Sequence, residues 1–290
     1  MASSTSSTGG PKRRPLVIYH GNCADGFTAA WAFHQSFGDA YDYLAGVYQQ
    51  PTPDVIDRDV YLMDFSYKYD VVLKMLNTAK SVTLIDHHAS AIEDLAPLIG
   101  TQGFNWYCDI GRSGAGLAWT FLHADRIPLP PALTLVEDRD LWKFLFPETR
   151  AFNAYLFAHE YTWANWYKLM AHTWESIREH IVPLGNAIEM KHWKDVRELV
   201  ELTRREVTFA GHTIQVANLP YTMSSDAAQI LAENMPFGAC YWDTESGRNF
   251  SLRSAPTGLD VSKVAMIFGG GGHKHAAGFR VPRGHPLALF

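Results

Sequence analysis

Three short apolar runs, each ended by an acidic residue or a histidine, constrain the fold of this sequence more than any other feature. The runs and the residues that end them are Leu16–Tyr19 with His20, Asp59–Met63 with Asp64, and Ser81–Ile85 with Asp86. Residues 27–37 and 67–78, which lie between the runs, have the apolar spacing of helices. Strands that alternate with helices indicate βαβ units, so we expect an α/β fold with a parallel sheet.

Because ligands bind at the carboxyl ends of strands in open parallel sheets, the side chains that follow these runs should converge. The converging set is His20, Asp25, Asp64 and Asp86-His87-His88, with Asp25-Gly26 placed in a turn after the first run. Carboxylates and imidazoles without a thiolate cluster suit Mn²⁺ or Mg²⁺ better than a structural zinc. Two such cations about 3.5–4 Å apart can bind phosphate oxygens and acidify water. Asp64, on the middle run, is the candidate bridging ligand, although a cap or loop aspartate is the alternative.

The rest of the chain indicates further helices and then a smaller α+β domain. A helix is predicted to start after Ser113 as N-cap, and another after Pro128–Pro131. Residues 142–206 have mostly helical spacing, and their aromatic side chains are expected in the core. After Gly211 we predict strands at 213–218, 238–242, 249–253 and 278–281 and helices at 226–234 and 261–268.

Composition excludes several classes of protein. The chain has 25 Lys and Arg against 30 Asp and Glu, a net charge of -5, which disfavours a broad basic face for long polyanions. Three cysteines without paired spacing, Cys23, Cys108 and Cys240, indicate neither a disulfide framework nor a zinc ribbon. No apolar run approaches the roughly 20 residues that span a bilayer. We therefore expect a cytoplasmic protein without membrane contact, while the Ser-rich residues 1–14 leave organellar targeting open.

The ordered set of motifs resembles the DHH phosphoesterases, a family named for the triplet seen here as Asp86-His87-His88. The resemblance covers about residues 16–280 and also includes His20, Asp25-Gly26, Asp64 and an aspartate within Glu137-Asp138-Arg139-Asp140. The run from Gly270 to Phe279 resembles the substrate-binding signature of the DHH-associated second domain. The triplet alone would be weak evidence, whereas the ordered set with this glycine run is specific.

The resemblance implies a role for each matching position. His20 and Asp64 would hold one cation, and Asp25, Asp64, His87 and Asp138 the other, with His88 facing the phosphate or donating a proton. Asp138 is preferred over Asp140, which could instead pair with Arg139. The chain departs from the family at Cys23, where members commonly have an aspartate. This thiol could ligate as a thiolate, leave the first cation weakly held, or be a buried thiol.

Several residues are candidates for binding the substrate. Glycines 270–272 allow backbone N–H groups to approach an anion, with a flexible turn as the alternative. The resemblance supports Arg253 and His273 as phosphate ligands, and a guanidinium can bind phosphate in a bidentate manner. Arg112 and Ser113 could present a helix N-terminus to a phosphate, although an ordinary capped helix is equally consistent.

We therefore predict a disordered tail at 1–14, a DHH-type metal-binding catalytic domain at 15–190, a helical linker at 191–204 and a substrate-binding domain at 205–290. The expected activity is Mn²⁺-dependent hydrolysis, with Mg²⁺ as the other candidate, of phosphodiester or terminal phosphate bonds in short oligonucleotides or nucleotides. Asp64, His87 and His88 are the expected catalytic residues. The alternatives are a pyrophosphatase or polyphosphatase and a weakened nucleotide-binding protein. The sequence leaves open the natural substrate, the cleavage polarity, the physiological metal and whether the chain forms a homodimer.

Overall fold

The computed structural model describes residues 13–48, 50–124 and 126–289, without the side chain of Phe209. The predicted disordered tail lies outside these residues except for Arg13 and Arg14. The chain divides into two compact units. The first consists of residues up to 87, 94–149 and 159–175, and the second of residues 88–93, 150–158 and 176 onwards. The predicted domain boundaries remain a prediction.

The first unit is built on a five-stranded, fully parallel sheet in the order β2-β1-β3-β4-β5. Its strands are β1 (Leu16–His20), β2 (Asp42–Gly46), β3 (Asp59–Met63), β4 (Ser81–Asp86) and β5 (Phe104–Cys108). From β1 the chain first crosses to β2 on one side of β1 and then to β3 on its other side. The edge between β1 and β3 is therefore a topological switch point. The α/β fold with a parallel sheet that the sequence predicts is confirmed.

Helices connect and cover the strands of both units. They are α1 (Ala24–Phe37), α2 (Tyr69–Leu76), α3 (Ala89–Leu95), α4 (Gly114–His123), α5 (Pro131–Asp140), α6 (Thr149–Phe157), α7 (Trp163–Met170), α8 (Trp174–Ser176), α9 (Val182–Thr203), α10 (Ser224–Leu231) and α11 (Val261–Ile267). A π-helical segment, Ile177–Ile181, joins α8 to α9. None of the described helices is long and apolar enough to span a bilayer.

Both faces of the parallel sheet are apolar, because alternate residues of each central strand point to opposite sides. Ile18, Leu62 and Leu84 pack with Val72 and Met75 of α2 on one side. On the other side, Phe33 of α1 contacts Tyr61 of β3 and Phe121 of α4, with ring centroids 5.2 and 6.0 Å apart. The sheet is thus fixed between two helical layers, and its carboxyl edge has a rigid support.

The second unit contains a six-stranded mixed sheet in the order β10-β11-β9-β8-β7-β6. Its strands are β6 (Arg205–Phe209), β7 (His212–Asn218), β8 (Gly238–Thr244), β9 (Gly247–Arg253), β10 (Gly271–His273) and β11 (Ala276–Val281). Among the described pairings of this second sheet, only β7–β8 is parallel. Helix α10 lies between these two strands in the chain. One apolar cluster lies under this sheet, with Phe237, Phe250 and Leu252 among its buried members.

Some predicted elements differ from the observed ones. The sequence placed Asp25 and Gly26 in the loop after β1. In the structure α1 begins at Ala24, so both residues belong to the first turn of this helix. Part of the glycine run forms strand β10. The strands β2, β5 and β6 were not predicted. β2 reads Asp-Tyr-Leu-Ala-Gly, and three of these five residue types are depleted in strands.

Candidate active site

Four elements of the first unit deliver polar side chains to the carboxyl edge of the sheet at its switch point. His20 ends β1, Asp64 follows β3, Asp86 ends β4, and Asp25 lies in the first turn of α1. Asp64 has a φ of +53°, a left-handed conformation that aspartate and asparagine tolerate better than most residues. Its backbone N–H donates to Ile85 O at 3.0 Å. The chain therefore turns sharply after β3 and fixes this carboxylate at the edge.

The two oxygens of Asp64 face two different sets of ligating atoms. Its Oδ2 lies 3.4 Å from His20 Nδ1 and accepts a hydrogen bond from the Cys23 thiol at 3.4 Å. Its Oδ1 lies 3.1 Å from His87 Nε2. That nitrogen is also 3.4 Å from Asp140 Oδ2 and 3.8 Å from Asp25 Oδ2. Asp64 therefore faces two clusters: its Oδ2 lies with His20 and Cys23, and its Oδ1 lies beside His87, which in turn groups with Asp25 and Asp140.

Asp25 is oriented by the N-terminus of α4. Its Oδ2 accepts from Gly114 N at 2.6 Å and its Oδ1 from Ala115 N at 3.0 Å. These amides are among the helical N–H groups that have no partner within their own helix, and the helix dipole favours a carboxylate there. Ser113 caps the same helix by accepting from Gly116 N at 3.1 Å, so the predicted N-cap is confirmed.

Space for Asp25 exists only because Gly114 has no side chain. A Cβ at position 114 would lie 2.5 Å from Asp64 Cβ and 2.9 Å from Asp25 Oδ2. At Gly26 a Cβ would lie 2.6 Å from His20 O. Both glycines therefore permit the close approach of helix and sheet that gathers the carboxylates.

Several charged side chains of the site are buried. Asp25, Asp64, Asp86 and His87 each expose at most 1% of their surface. Burial, followed by the charges of Asp140 and Asp64, raises the pKa of Asp25 well above its usual value. Burial opposes protonation of His87, but the hydrogen bond with Asp64 and the nearby carboxylates outweigh it and raise its pKa to about 10. Positive charge is therefore strongly favoured at this position.

The structure separates Asp138 from Asp140. Asp138 accepts from the backbone N–H groups of Leu145 and Phe146, at 2.9 and 3.3 Å, and from the Thr149 hydroxyl. It holds the segment after α5, and it belongs to neither ligating group. Asp140 lies beside His87 instead. The geometry therefore brings Asp140 to the cluster, and the ligand role of Asp138 that the sequence favoured remains a prediction.

Arg112 and Ser113 contact a carboxylate of the chain itself. The Arg112 guanidinium donates to Glu137 at 3.0 Å, and the Ser113 N–H donates to the same oxygen at 3.1 Å. Glu137 and Asp25 thus both accept hydrogen bonds from backbone N–H groups at the N-terminus of α4. This arrangement is the capped helix that the sequence left open, and a phosphate contact of Arg112 and Ser113 remains a prediction.

The predicted substrate-binding residues Arg253 and His273 lie in the second unit. Arg253, at the end of β9, donates to Ser225 Oγ at 2.7 Å and to Leu252 O at 2.8 Å. The rings of His273 and His88 stack with centroids 4.6 Å apart. A Cβ at Gly270 or Gly272 would lie 2.1 Å from Gly278 O or 2.6 Å from Ala276 O, so the hairpin itself requires these two glycines.

Tyr48 is a site residue that sequence reasoning missed. Its ring lies 5.5 Å from that of His20 and 4.8 Å from that of Phe65. Burial of the phenol, and then the charges of Asp86 and Asp64, raise its pKa well above the usual value. Half of the residue surface is still exposed, so this burial concerns the hydroxyl end. Tyr48 follows β2, and recognising that strand would have directed attention to it.

The residues present fit a pair of divalent cations. Five carboxylate or imidazole side chains and one thiol supply the oxygen, nitrogen and sulfur donors that such ions bind. The two oxygens of Asp64 face both clusters, as those of a bridging carboxylate must. Burial and then the charges of Asp140 and Asp64 raise the pKa of Asp25, and cations would relieve the repulsion among these three carboxylates.

Comparison with solved structures identifies the fold. A DHH domain described as a member of the s1p family of ribosomal proteins superposes with a TM-score of 0.53 at 12% identity, over 94% of this chain and 84% of that one. The fold is of the DHH type. A second DHH-type likeness is to RecJ from Thermus thermophilus, solved in complex with Mn²⁺, with a TM-score of 0.51 and 13% identity. That match covers 93% of this chain and 50% of RecJ.

Sequence comparison gives one curated relative of this chain, an uncharacterized protein of Acanthamoeba polyphaga mimivirus. It is 26% identical over 293 residues, which cover 91% of this chain and 66% of the viral protein. The chain thus spans slightly less than two thirds of that relative. No protein-family model matches the sequence.

Proposed function

We propose that this protein is a metal-dependent phosphoesterase that hydrolyses phosphodiester or terminal phosphate bonds of short oligonucleotides or nucleotides. The observation that carries the proposal is the position of Asp64, whose two oxygens face two separate groups of ligating atoms. A shared carboxylate between two cations is the arrangement that two-metal phosphoryl chemistry requires. The DHH-type fold supports it.

The ligands divide between two cation positions. His20, Cys23 and Asp64 would hold one cation, and Asp25, Asp64, His87 and Asp140 the other. When bound, the two cations would supply Lewis acidity to the phosphoryl oxygens and lower the pKa of water. The donor set of the second position, one imidazole and three carboxylates, fits Mn²⁺ and also Mg²⁺. The Mn²⁺ in the RecJ structure supports manganese.

The protein side chains orient this site in advance. The amides of Gly114 and Ala115 fix Asp25, and the carboxylate of Asp86 accepts from His87 N at 2.7 Å. Because these partners are backbone groups, the ligands need little rearrangement when cations bind. Arg253, glycines 270–272 and His273 are the proposed substrate ligands, and His88 is the proposed contact to the phosphate or proton donor.

The net charge of -5 favours short substrates over long strands. The candidates are di- and trinucleotides, cyclic dinucleotides and nucleotides with a 3′-phosphate. Inorganic pyrophosphate and polyphosphate represent the other enzymatic activity, and affinity without turnover would indicate a nucleotide-binding protein.

The test is a substrate panel with a matched pair of variants on β3. Asp64→Asn removes the bridging charge, and asparagine tolerates the left-handed φ at this position. Asp59→Asn makes the same chemical change at the other end of the strand, where Asp59 binds Lys80 and Ser81. With Mn²⁺, wild type and Asp59→Asn should release mononucleotides or phosphate, whereas Asp64→Asn should lose at least about 100-fold in kcat.

Three results would contradict the proposal. Wild-type protein that binds Mn²⁺ but hydrolyses none of the nucleotides would leave only a binding role. Preference for inorganic pyrophosphate over every nucleotide would replace the substrate class. Equal activity of Asp64→Asn and Asp59→Asn would remove the bridging carboxylate from the mechanism.

A further inference from the structure

The cation position beside His20 differs from its neighbour in containing sulfur. We propose that Cys23 is a thiolate ligand there and that this position selects a thiophilic divalent ion such as Zn²⁺ or Co²⁺, next to a position with only oxygen and nitrogen donors. The inference rests on the two-cation site of the proposed function. It goes beyond that function because it gives the two positions different metal preferences.

The position of Cys23 is fixed by regular structure on both sides. Cys23 is the N-cap of α1, with an extended φ of -122° and ψ of 132°. Its carbonyl accepts the first helical hydrogen bond from Phe27 N at 2.9 Å. Three residues earlier, His20 ends strand β1, which lies between β2 and β3 in the sheet. Strand and helix therefore hold the imidazole and the thiol in a defined relation.

The three ligating atoms already face one another. The Cys23 sulfur and His20 Nδ1 each lie 3.4 Å from Asp64 Oδ2. All three atoms lie within 4.8 Å of one another, so a cation between them could contact each ligand after a small adjustment of side chains. Asp64 is almost fully buried, whereas Cys23 is partly buried.

The donor types determine the preference. Thiolate is a soft ligand that favours zinc and cobalt over the hard ions magnesium and manganese. Asp25, His87 and Asp140 offer carboxylate and imidazole only, a set that accepts manganese. The shared Asp64 would join these unlike positions. The site would therefore bind a thiophilic ion at the position beside His20 and a hard ion at the position beside His87.

The other cysteines provide an internal control. In the described part of the chain neither Cys108 nor Cys240 belongs to a group of ligating side chains of this kind. Cys108 ends β5, and Cys240 is buried in the second unit with its sulfur 4.0 Å from Leu219 O. A sulfur–metal signal that survives Cys108→Ser but not Cys23→Ser therefore reports on Cys23.

The experiment titrates the full, metal-free chain with Co²⁺ and records its absorption. Wild type and Cys108→Ser should show a near-ultraviolet charge-transfer band from sulfur to cobalt that saturates at one equivalent. Cys23→Ser should lose that band and keep the visible cobalt bands of the other position, which shows that the variant is folded. Absence of the band in wild type, or its persistence in Cys23→Ser, would overturn the proposal.

Selectivity is measured by competition for the same cobalt band. Zn²⁺ should displace the band-forming Co²⁺, whereas excess Mn²⁺ should not. In Cys23→Asp, calorimetric titration should show a preference for Zn²⁺ over Mn²⁺ that is at least about 10-fold weaker, since even outer residues of metal sites change affinity by about 10- to 100-fold. Equal selectivity in both proteins would count against the sulfur ligand.

The two proposals fail separately. Hydrolysis of nucleotides by the Mn²⁺-loaded protein together with no cobalt–sulfur band refutes the thiolate ligand and leaves the function in place. A cobalt–sulfur band in a protein that hydrolyses none of the panel supports the ligand and refutes the phosphoesterase function.

Discussion

Asp138 and Asp140 lie two residues apart at the end of α5, yet their carboxylates have unlike surroundings. Asp138 accepts backbone N–H groups of the following segment, while Asp140 approaches His87. Asp138 is 4% exposed, whereas the Asp140 side chain is 26% exposed. A buried carboxylate with several donors stabilises the fold, and a more accessible one beside an imidazole can bind a cation.

Substitution by asparagine should separate these roles. Asp138→Asn should lower the free energy of unfolding of the metal-free protein by about 1–3 kcal/mol, because buried donors lose a charged acceptor. Asp140→Asn should leave that stability nearly unchanged and weaken Mn²⁺ binding at least about 10-fold. Urea unfolding and calorimetric metal titration of the two variants measure both effects. Weaker Mn²⁺ binding in Asp138→Asn together with lower stability in Asp140→Asn would support Asp138 as the ligand.

The sequence could not decide between these aspartates because the answer depends on the backbone after the helix. Trp142 and Phe144 both have left-handed φ values, 55° and 49°, which bulky residues rarely adopt. These two turns bring the N–H groups of Leu145 and Phe146 back to Asp138. Residue type and spacing give no indication of such a path, whereas the chemistry of the strand ends was readable from His20, Asp64 and His87.

The environment of His87 makes the stability of the metal-free protein depend on pH. Its folded-state pKa of about 10 lies above the ordinary 6.5. The stabilisation is therefore complete below pH 6.5 and is lost as the pH rises towards 10. The raised pKa of Asp25 acts in the same direction at lower pH, because protonation is easier in the folded state.

We expect the unfolding temperature of the metal-free protein, kept in chelator, to fall between pH 6.5 and pH 9. The unfolding temperature of the His87→Gln variant should fall less over the same interval, since a glutamine side chain does not titrate. Differential scanning calorimetry of both proteins at several pH values provides the measurement. A wild-type unfolding temperature that is constant or rises over this interval would show that His87 is not protonated in the folded state.

At the scale of elements, the site depends on the approach of α4 to the carboxyl edge of the sheet. The apolar runs that form β1, β3 and β4 were legible in the sequence because both faces of these strands are buried. The outer strands β2 and β5 were missed, and with them Tyr48. The contact between Asp25 and α4 joins residues 89 or more positions apart, and local patterns carry no information on such pairs.

The variant Gly114→Ala tests the importance of this approach. The added Cβ would lie 2.5 Å from Asp64 Cβ, so helix and sheet must separate and the ligands must move. A displacement of about 1 Å can lower turnover about 100-fold, and we expect a fall in kcat of that order. Gly111→Ala is the matched control in the preceding loop, where the nearest atom is a flexible Asp109 oxygen at 3.2 Å. Equal activity of the two variants would contradict the role assigned to Gly114.

At the scale of the whole molecule, the fold class was readable from the sequence, whereas the strand order and the division into units were not. The parallel sheet follows from βαβ alternation, but the order β2-β1-β3-β4-β5 depends on which side of β1 each crossover turns. Segments 88–93 and 150–158 belong to the second unit although both neighbouring stretches of chain belong to the first. The predicted domains at 15–190 and 205–290 are each one continuous stretch of chain, and they remain a prediction.

The net charge of -5 leads to a prediction about substrate length and salt. Each phosphate contact to a single strand contributes about -0.7 to the slope of log affinity against log salt concentration. With only a few cationic ligands such as Arg253, KM for a dinucleotide should rise less than about 10-fold between 50 and 200 mM salt. A 20-mer should show the same slope and no lower KM per cleavable end, because an acidic surface adds no further contacts.

Arg253→Ala should reduce the slope by roughly the value of one contact, and Arg280→Ala, on β11, is the control. A steep salt dependence seen only with the 20-mer would reveal an extended nucleic-acid surface and would contradict the proposal that the substrates are short.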